Sequence, residues 1–514
     1  MKRTAILTAM IMTIALATGA FADMSQLVPP FHWTYHSLSN LSSKGLISEQ
    51  VTPGRSAYTG EQVVALVVMA LKHAERDITK LGDLELTSMR QLANAYRPYF
   101  KTAGYDYDVI RNDIEICAMR AGLTTLDTGN GFKPNPKALS ANAALSVNKF
   151  TFDLYREIAA ERKGENIFIS PYSVTSALAM TYAGARGITE REMERVLSIN
   201  PDIHKSMGAL IGELNSVPRD IAQIRSANAL WPAKGENILP EYAQTVQEYY
   251  NAALTPLNYA ANPGAARRTI NKWVEKQTQN KIKDIIKEGL LTKETRMLLT
   301  NAIYFQSRWE EEFEAVNTAP RPFRISPGRS VMALTMDRTA QRLSYAKLSD
   351  AEMIAMPYKG GRFSMIVILP DENSTLDTLE AALSTEQMAR WTASMEEKKV
   401  KILLPKFRQE DDYDLASTLS KMGMASAFVP GEADFSAITG FNDFYISNIV
   451  HKTFIDVAEE GTEAAAATAV IMMRTSLPFE DPELITFRAD RPFLYMIKDN
   501  SSEAIIFIGR CLKP

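Results

Sequence analysis

Gly461 opens a run of almost nothing but small side chains, Thr462-Glu463-Ala464-Ala465-Ala466-Ala467-Thr468. Glu459-Glu460 and a strand-like apolar segment, Phe454-Ile455-Asp456-Val457, precede it. Small residues enter a tight space without clashes and give a loop little anchoring of its own. Alanine is the best helix former, so Glu463 to Met473 can also be read as an ordinary helix begun after Gly461. As a strand the run has two faces. Thr462, Ala464, Ala466, Thr468 and Val470 share one, and Glu463 points the other way. The shared face carries nothing large or charged, which suits a segment that is mobile first and buried later.

Blocks elsewhere in the chain favour the strand. Asn166-Ile167-Phe168-Ile169-Ser170-Pro171-Tyr172-Ser173 comes first, then Leu299-Thr300-Asn301-Ala302-Ile303-Tyr304-Phe305 with Trp309 and Phe313. Leu404-Pro405-Lys406-Phe407, Tyr413-Asp414-Leu415, Ala433-Asp434-Phe435-Ser436 and Val450-His451-Lys452 follow. Asp490-Arg491-Pro492-Phe493 and Phe507-Ile508-Gly509-Arg510 close the chain. In this order and spacing, the blocks resemble the serpin family from about Leu139 to Pro514.

The resemblance implies an α+β fold with three β-sheets, about nine helices and an exposed reactive-centre loop. It implies a suicide-substrate inhibitor of serine proteases. The enzyme attacks the loop and forms an acyl intermediate, and the cut loop then enters the main sheet and traps it. Glu459 to Thr468 match the family's hinge. Ser170, Ser173, Asn301 and His451 match its shutter, a polar cluster where the sheet parts, and Trp309 matches its breach. The family's spacing from the hinge glycine places the attacked bond at Thr475–Ser476. Arg474–Thr475, one residue earlier, suits the acidic primary pocket of a trypsin-like enzyme and is favoured here. Met472, Met473 and Leu477 suit elastase-like or chymotrypsin-like enzymes, and a subtilisin-like target stays open. The alternative is a non-inhibitory serpin scaffold that binds at the cell envelope.

Met1-Lys2-Arg3, an apolar stretch to Leu16 and Ala20-Phe21-Ala22 read as a secretory signal over 1–22. Residues 23–75 resemble a single S-layer homology module, through His32-Trp33-Thr34-Tyr35, Lys44-Gly45-Leu46-Ile47 and a second helix capped by Thr59. That resemblance implies a bacterial envelope and a cell-wall polymer as ligand. Leu84, Met89, Leu92 and Tyr96 have helical spacing, so 76–124 reads as a helical spacer. Gly129, Gly131, Pro134 and Pro136 mark 125–138 as a linker, and 139–514 is the serpin-like domain. Export to the periplasm, cell surface or medium is the expected location, and a monomer the expected state.

Formal net charge is −3, so no global basic field recruits nucleic acid. Five scattered histidines and two distant cysteines, Cys117 and Cys511, give no metal or redox spacing, and no cofactor is expected. The chain has no Gly-x-Ser-x-Gly elbow and no phosphate loop, which argues against an enzyme.

Overall fold

A computed structural model of the chain describes residues 33–48, 51, 58–120, 136–199, 202–462 and 484–514. The expected signal segment, most of the linker, hinge residues Glu463 to Thr468 and the bond candidates Arg474, Thr475 and Ser476 lie outside the described residues. The chain divides into two compact units, Met1–Ala138 and Leu139–Pro514.

The first unit contains α1 (Trp33–Ser43), α2 (Gly60–Arg76), α3 (Asp83–Ala95) and α4 (Tyr107–Arg120). Gly45 stops α1 by turning left-handed, at φ 65°. The Gly45 N–H then reaches Ser42 O and the Leu46 N–H reaches Leu41 O, both at 2.9 Å, a Schellman closure that buries both leucines. Thr59 caps α2 in a capping box with Gln62. Leu38, Leu41, Val63, Val67, Leu71, Met89, Leu92 and Ile114 share one core. The residues read from sequence as a spacer therefore pack with those before them, and Thr34 Oγ1 lies 2.7 Å from Tyr96 Oη. The apolar stripes on α3 and α4 need a partner face, and α1 and α2 supply it.

In the second unit, helices dominate the first part: α5 (Pro136–Glu161), which starts at the boundary, α6 (Pro171–Tyr182), α7 (Gly187–Leu197), α8 (Ile203–Asn215), α9 (Pro240–Tyr250) and α10 (Pro263–Gln277). Shorter helices follow: α11 (Leu376–Ala382), α12 (Thr385–Ala393), α13 (Ala416–Lys421) and α14 (Ser436–Thr439). The main sheet has six strands, in the order β10 (Phe407–Asp414), β11 (Asn448–Ala458), β12 (Gly461–Thr462), β4 (Met297–Arg308), β2 (Ala222–Pro232) and β3 (Ala253–Leu254).

The second sheet has nine strands. It runs β1 (Ile167–Ile169), β15 (Ile505–Cys511), β14 (Phe493–Asp499), β8 (Phe363–Pro370), β7 (Ala351–Pro357), β6 (Arg329–Lys347), β9 (Glu396–Pro405) and β13 (Ile485–Arg488), with β5 (Ala319–Ser326) paired to β6. Three sheets were expected. The ladder joins two of them because β6 passes continuously from one to the other, with a register shift between Arg338 and Gln341.

The main sheet is covered on both faces, so β4 reads as a nearly unbroken apolar run. Leu299, Ile303 and Phe305 face the large core, where the wholly buried α6 lies. Leu298 and Ala302 face the other way, with Trp231 of β2, Val450 and Phe454 of β11, and Ile270 and Val274 of α10.

Candidate functional site

β4 and β11 are direct parallel neighbours from Leu298 opposite Asn448 up to Tyr304 opposite Phe454. Above that level they part, and β12 fills the opening. Gly461 and Thr462 pair antiparallel with Arg308 and Ser307 on one side and with Ala458 and Val457 on the other. Only glycine fits at 461. Its φ is 155°, and a Cβ there would lie 2.2 Å from Ser307 O and 2.6 Å from Arg308 Cα.

The opening is held by named side chains. Trp309 Nε1 donates to Ala458 O at 3.0 Å, and the Trp309 backbone N–H donates to Glu460 O at 2.9 Å. The Trp309 ring stacks on Tyr358, with centroids 4.5 Å apart. Tyr358 Oη lies 2.6 Å from Thr462 Oγ1, and both residues are fully buried. Burial pushes the Tyr358 phenol above its ordinary range, so it stays protonated. Glu459 accepts from Lys406 Nζ at 2.7 Å and from Thr318 Oγ1 at 2.9 Å. Burial works against the Glu459 charge, but these hydrogen bonds outweigh it and hold the carboxyl below the usual glutamate range.

The second cluster lies deeper, on the core face. Asn301 of β4 and His451 of β11 are register partners. His451 Nδ1–H donates to Asn301 Oδ1, while His451 Nε2 accepts the Ser170 N–H at 3.1 Å. One neutral tautomer satisfies both bonds. Burial drives the ring's pKa down to about 3. Asn301 Nδ2 faces Ser173 O at 2.7 Å, Ser173 Oγ at 2.6 Å and Asn228 Oδ1 at 2.5 Å. Ser170 caps α6, and its hydroxyl also donates to Ile506 O at 2.7 Å. One small polar cluster thus ties β2, β4, β11, β15 and α6 together, and Ser170, Ser173, Asn301 and His451 need their partners because burial keeps all four from water.

The structure brings Ser170, Ser173, Asn301 and His451 together, and it places Trp309 against Glu459 to Thr462. Sequence reading did not single out Asn228, Tyr358, Thr318 or Lys406. Asn228 had a signal, a polar residue inside the apolar run Ala227 to Trp231. Among the described residues no group of three or more His, Cys, Asp or Glu side chains could hold a metal. Cys117 and Cys511 are both buried, and burial raises the Cys511 pKa.

β4 and β11 thus pair directly at one end and part at the other around the two residues of β12, with packed cores on both faces of the sheet. Comparison with known proteins gives the class. The family model for serpins, serine protease inhibitors, matches residues 145–514. An uncharacterized serpin-like protein of Thermococcus kodakarensis is 40% identical over 373 residues, covering 72% of this chain and 85% of its own length. Leukocyte elastase inhibitor of Xenopus tropicalis is 36% identical over 381 residues, covering 73% of this chain and all of the relative. Uncleaved ovalbumin superposes with a TM-score of 0.64 at 31% identity, covering 73% of this chain and 100% of that one. The thermophilic serpin tengpin in its native state gives 0.66 at 28%, covering 75% and 96%. The chain belongs to the serpin family.

Proposed function

We propose that this serpin is an exported inhibitor that traps a serine protease by inserting its cleaved loop into the main sheet. The observation that carries this reading is the seating of Gly461 and Thr462 between β4 and β11. Continuing the same antiparallel register, each later residue moves one position down both strands. Thr468 then comes level with Asn301 on one side and His451 on the other. A threonine hydroxyl between them replaces the hydrogen bond it separates, so opening the sheet there leaves no buried polar group stranded. β4 begins at Met297, and in this register its partner is Met472. The sheet therefore has length for the chain up to Met472, and the attacked bond lies just beyond, at Arg474–Thr475 or Thr475–Ser476.

The chemistry is the protease's own. Its serine oxygen attacks the Arg474 carbonyl, an ester forms, the amide to Thr475 breaks, and Thr475 leaves as an amine. The freed hinge adds to the sheet as a central strand, gaining main-chain hydrogen bonds to both neighbours. Ala464, Ala466 and Thr468 follow Thr462 onto the core face, and their small size suits it. The attached enzyme is carried along, and deacylation fails because its active-site geometry is deformed. A trypsin-like enzyme fits Arg474 best, with Thr475 the next candidate. Residues 23–75 would hold the inhibitor at the bacterial envelope through a wall polymer.

The test is to mix the mature protein with trypsin, elastase, chymotrypsin and subtilisin. An SDS-stable complex, with a C-terminal peptide whose mass begins at Thr475, is the expected result. Clean cleavage by every enzyme with no complex would count against trapping and favour the binding scaffold.

A further inference from the structure

Two arginines are buried among the described residues, Arg338 on β6 and Arg510 on β15. Arg510 is satisfied at every nitrogen. Its Nε donates to Glu165 O at 2.9 Å and its Nη2 to Arg162 O at 2.5 Å, while Nη1 meets the Glu380 carboxylate at 3.0 and 3.1 Å. Arg338 is held differently. Its Nη1 donates to Glu311 O, and the guanidinium lies over the Phe313 ring, 4.7 Å from the centroid. Nε and Nη2 are buried and have no partner, and no carboxylate pairs with Arg338 among the described residues. Burial lowers its pKa to about 10, and the exposed Glu311 carboxylate offsets this only in part. The side chain is still a cation at pH 7, and a buried charge without a counter-ion is costly.

The two unpaired nitrogens form a single receptor edge. The Nε–H and the neighbouring Nη2–H lie on one side of the planar guanidinium, the side that takes both oxygens of a carboxylate. A second stranded atom lies beside it. Arg338 stands opposite Ile402, and Gln341 opposite Val400. Ile402 and Val400 are two residues apart on β9, so all four side chains share one face of the sheet. Ile402 and Val400 belong to the large core, and Gln341 Oε1 is buried without a partner. The register shift between Arg338 and Gln341 is a bulge-like irregularity, a device that re-aims side chains beside sites. We propose that Arg338 and Gln341 hold a small planar oxyanion, of formate or acetate size, on the core face of β6. The Arg338 edge donates to both of its oxygens. The Gln341 amide, turned by half a turn, adds an N–H donor. Glu311 O is tied to Arg338, and two residues on the Phe313 N–H donates to Glu459 O at 2.9 Å. A filled site therefore stiffens the strap that holds Glu459 beside the opening between β4 and β11.

The test follows thermal unfolding of the full chain as sodium formate replaces sodium chloride at fixed ionic strength. The midpoint should rise by roughly 2 °C at ten times the dissociation constant. R338M removes the charge and keeps the bulk, so it should fold and show no response. R338K keeps the charge without the two-donor edge, and it should bind formate about tenfold more weakly. Line broadening of isotope-labelled formate in NMR reads the same affinities without unfolding any variant. An unchanged midpoint and a sharp formate signal in the wild type would overturn the site, leaving the edge to water or to a carboxylate of the chain itself. An equal response in R338M would overturn it by placing the ion elsewhere, and undiminished binding in R338K would overturn the two-oxygen grip.

Discussion

Replacing Asn301 with alanine tests whether the deep polar cluster holds the sheet closed. The substitution removes four hydrogen-bonding contacts, but their loss is not equal. Ser173 O is also a helix acceptor, and Asn228 Oδ1 keeps the Ser173 hydroxyl at 3.2 Å. The His451 Nδ1–H loses its one partner and is stranded where no water reaches. One fully orphaned buried donor costs about 1–3 kcal/mol, and two half-satisfied acceptors bring the total to roughly 3 kcal/mol. For a unit of this size, unfolding entropy is about 0.8 kcal/mol per degree, so the thermal midpoint of the uncleaved protein should fall by about 4 °C. The parallel pairing of β4 and β11 should loosen as well. Incubation at 37 °C should convert the variant faster than the wild type to a form that no longer traps protease. Differential scanning calorimetry and residual complex formation read the two effects. A midpoint within a degree of wild type, with no faster loss of trapping, would refute the claim that this cluster keeps the strands together.

Acidification should destabilise the intact protein below pH 6.5. Burial lowers His451 to about 3 and His204 to about 4, so the unfolded chain takes up these protons first and stability falls with pH. Asp411 opposes this: burial raises it to about 6, and its stabilising contribution grows as pH falls through that value. The net loss from pH 7 to pH 5 is roughly 2 kcal/mol, measurable as a midpoint drop of about 3 °C. Glu459→Lys sets a cation against Lys406 and removes two hydrogen bonds, which should cost about 2–4 kcal/mol; K406E in the same chain should restore part of it, and failure of that rescue in thermal melts would discount the ion pair. Thr462→Arg forces a guanidinium into a fully buried position at a cost of several kcal/mol, so on the proposed trapping mechanism it should make the protein a substrate, read as a stoichiometry of inhibition well above one.

Some of this was legible in the chain because it is local or patterned. Gly45 and Thr59 mark helix ends through the backbone chemistry of caps. Asn301 and His451 are polar residues inside apolar strands, and the blocks around them carry the family likeness. Of the small run read as a strand, Gly461 and Thr462 form β12, and the residues from Glu463 on lie outside the described residues. Other features depend on partners far away in sequence. Nothing near Tyr358 foretells its contact with Thr462, and Lys406 and Thr318 meet Glu459 only once β5, β9 and β11 converge. The apolar stripes of α3 and α4 were visible, but the helices they would face were not. The union of two expected sheets turns on whether β6 continues past Arg338, which a local register shift decides.

The most direct test of the account compares thermal unfolding of the protein before and after a single cut in the reactive loop. If the freed segment enters between β4 and β11 in the register begun by Gly461 and Thr462, the cut protein should melt tens of degrees higher, because a central strand gains hydrogen bonds on both edges. An unchanged or lower midpoint after clean cleavage would contradict loop insertion and leave a serpin fold that does not trap.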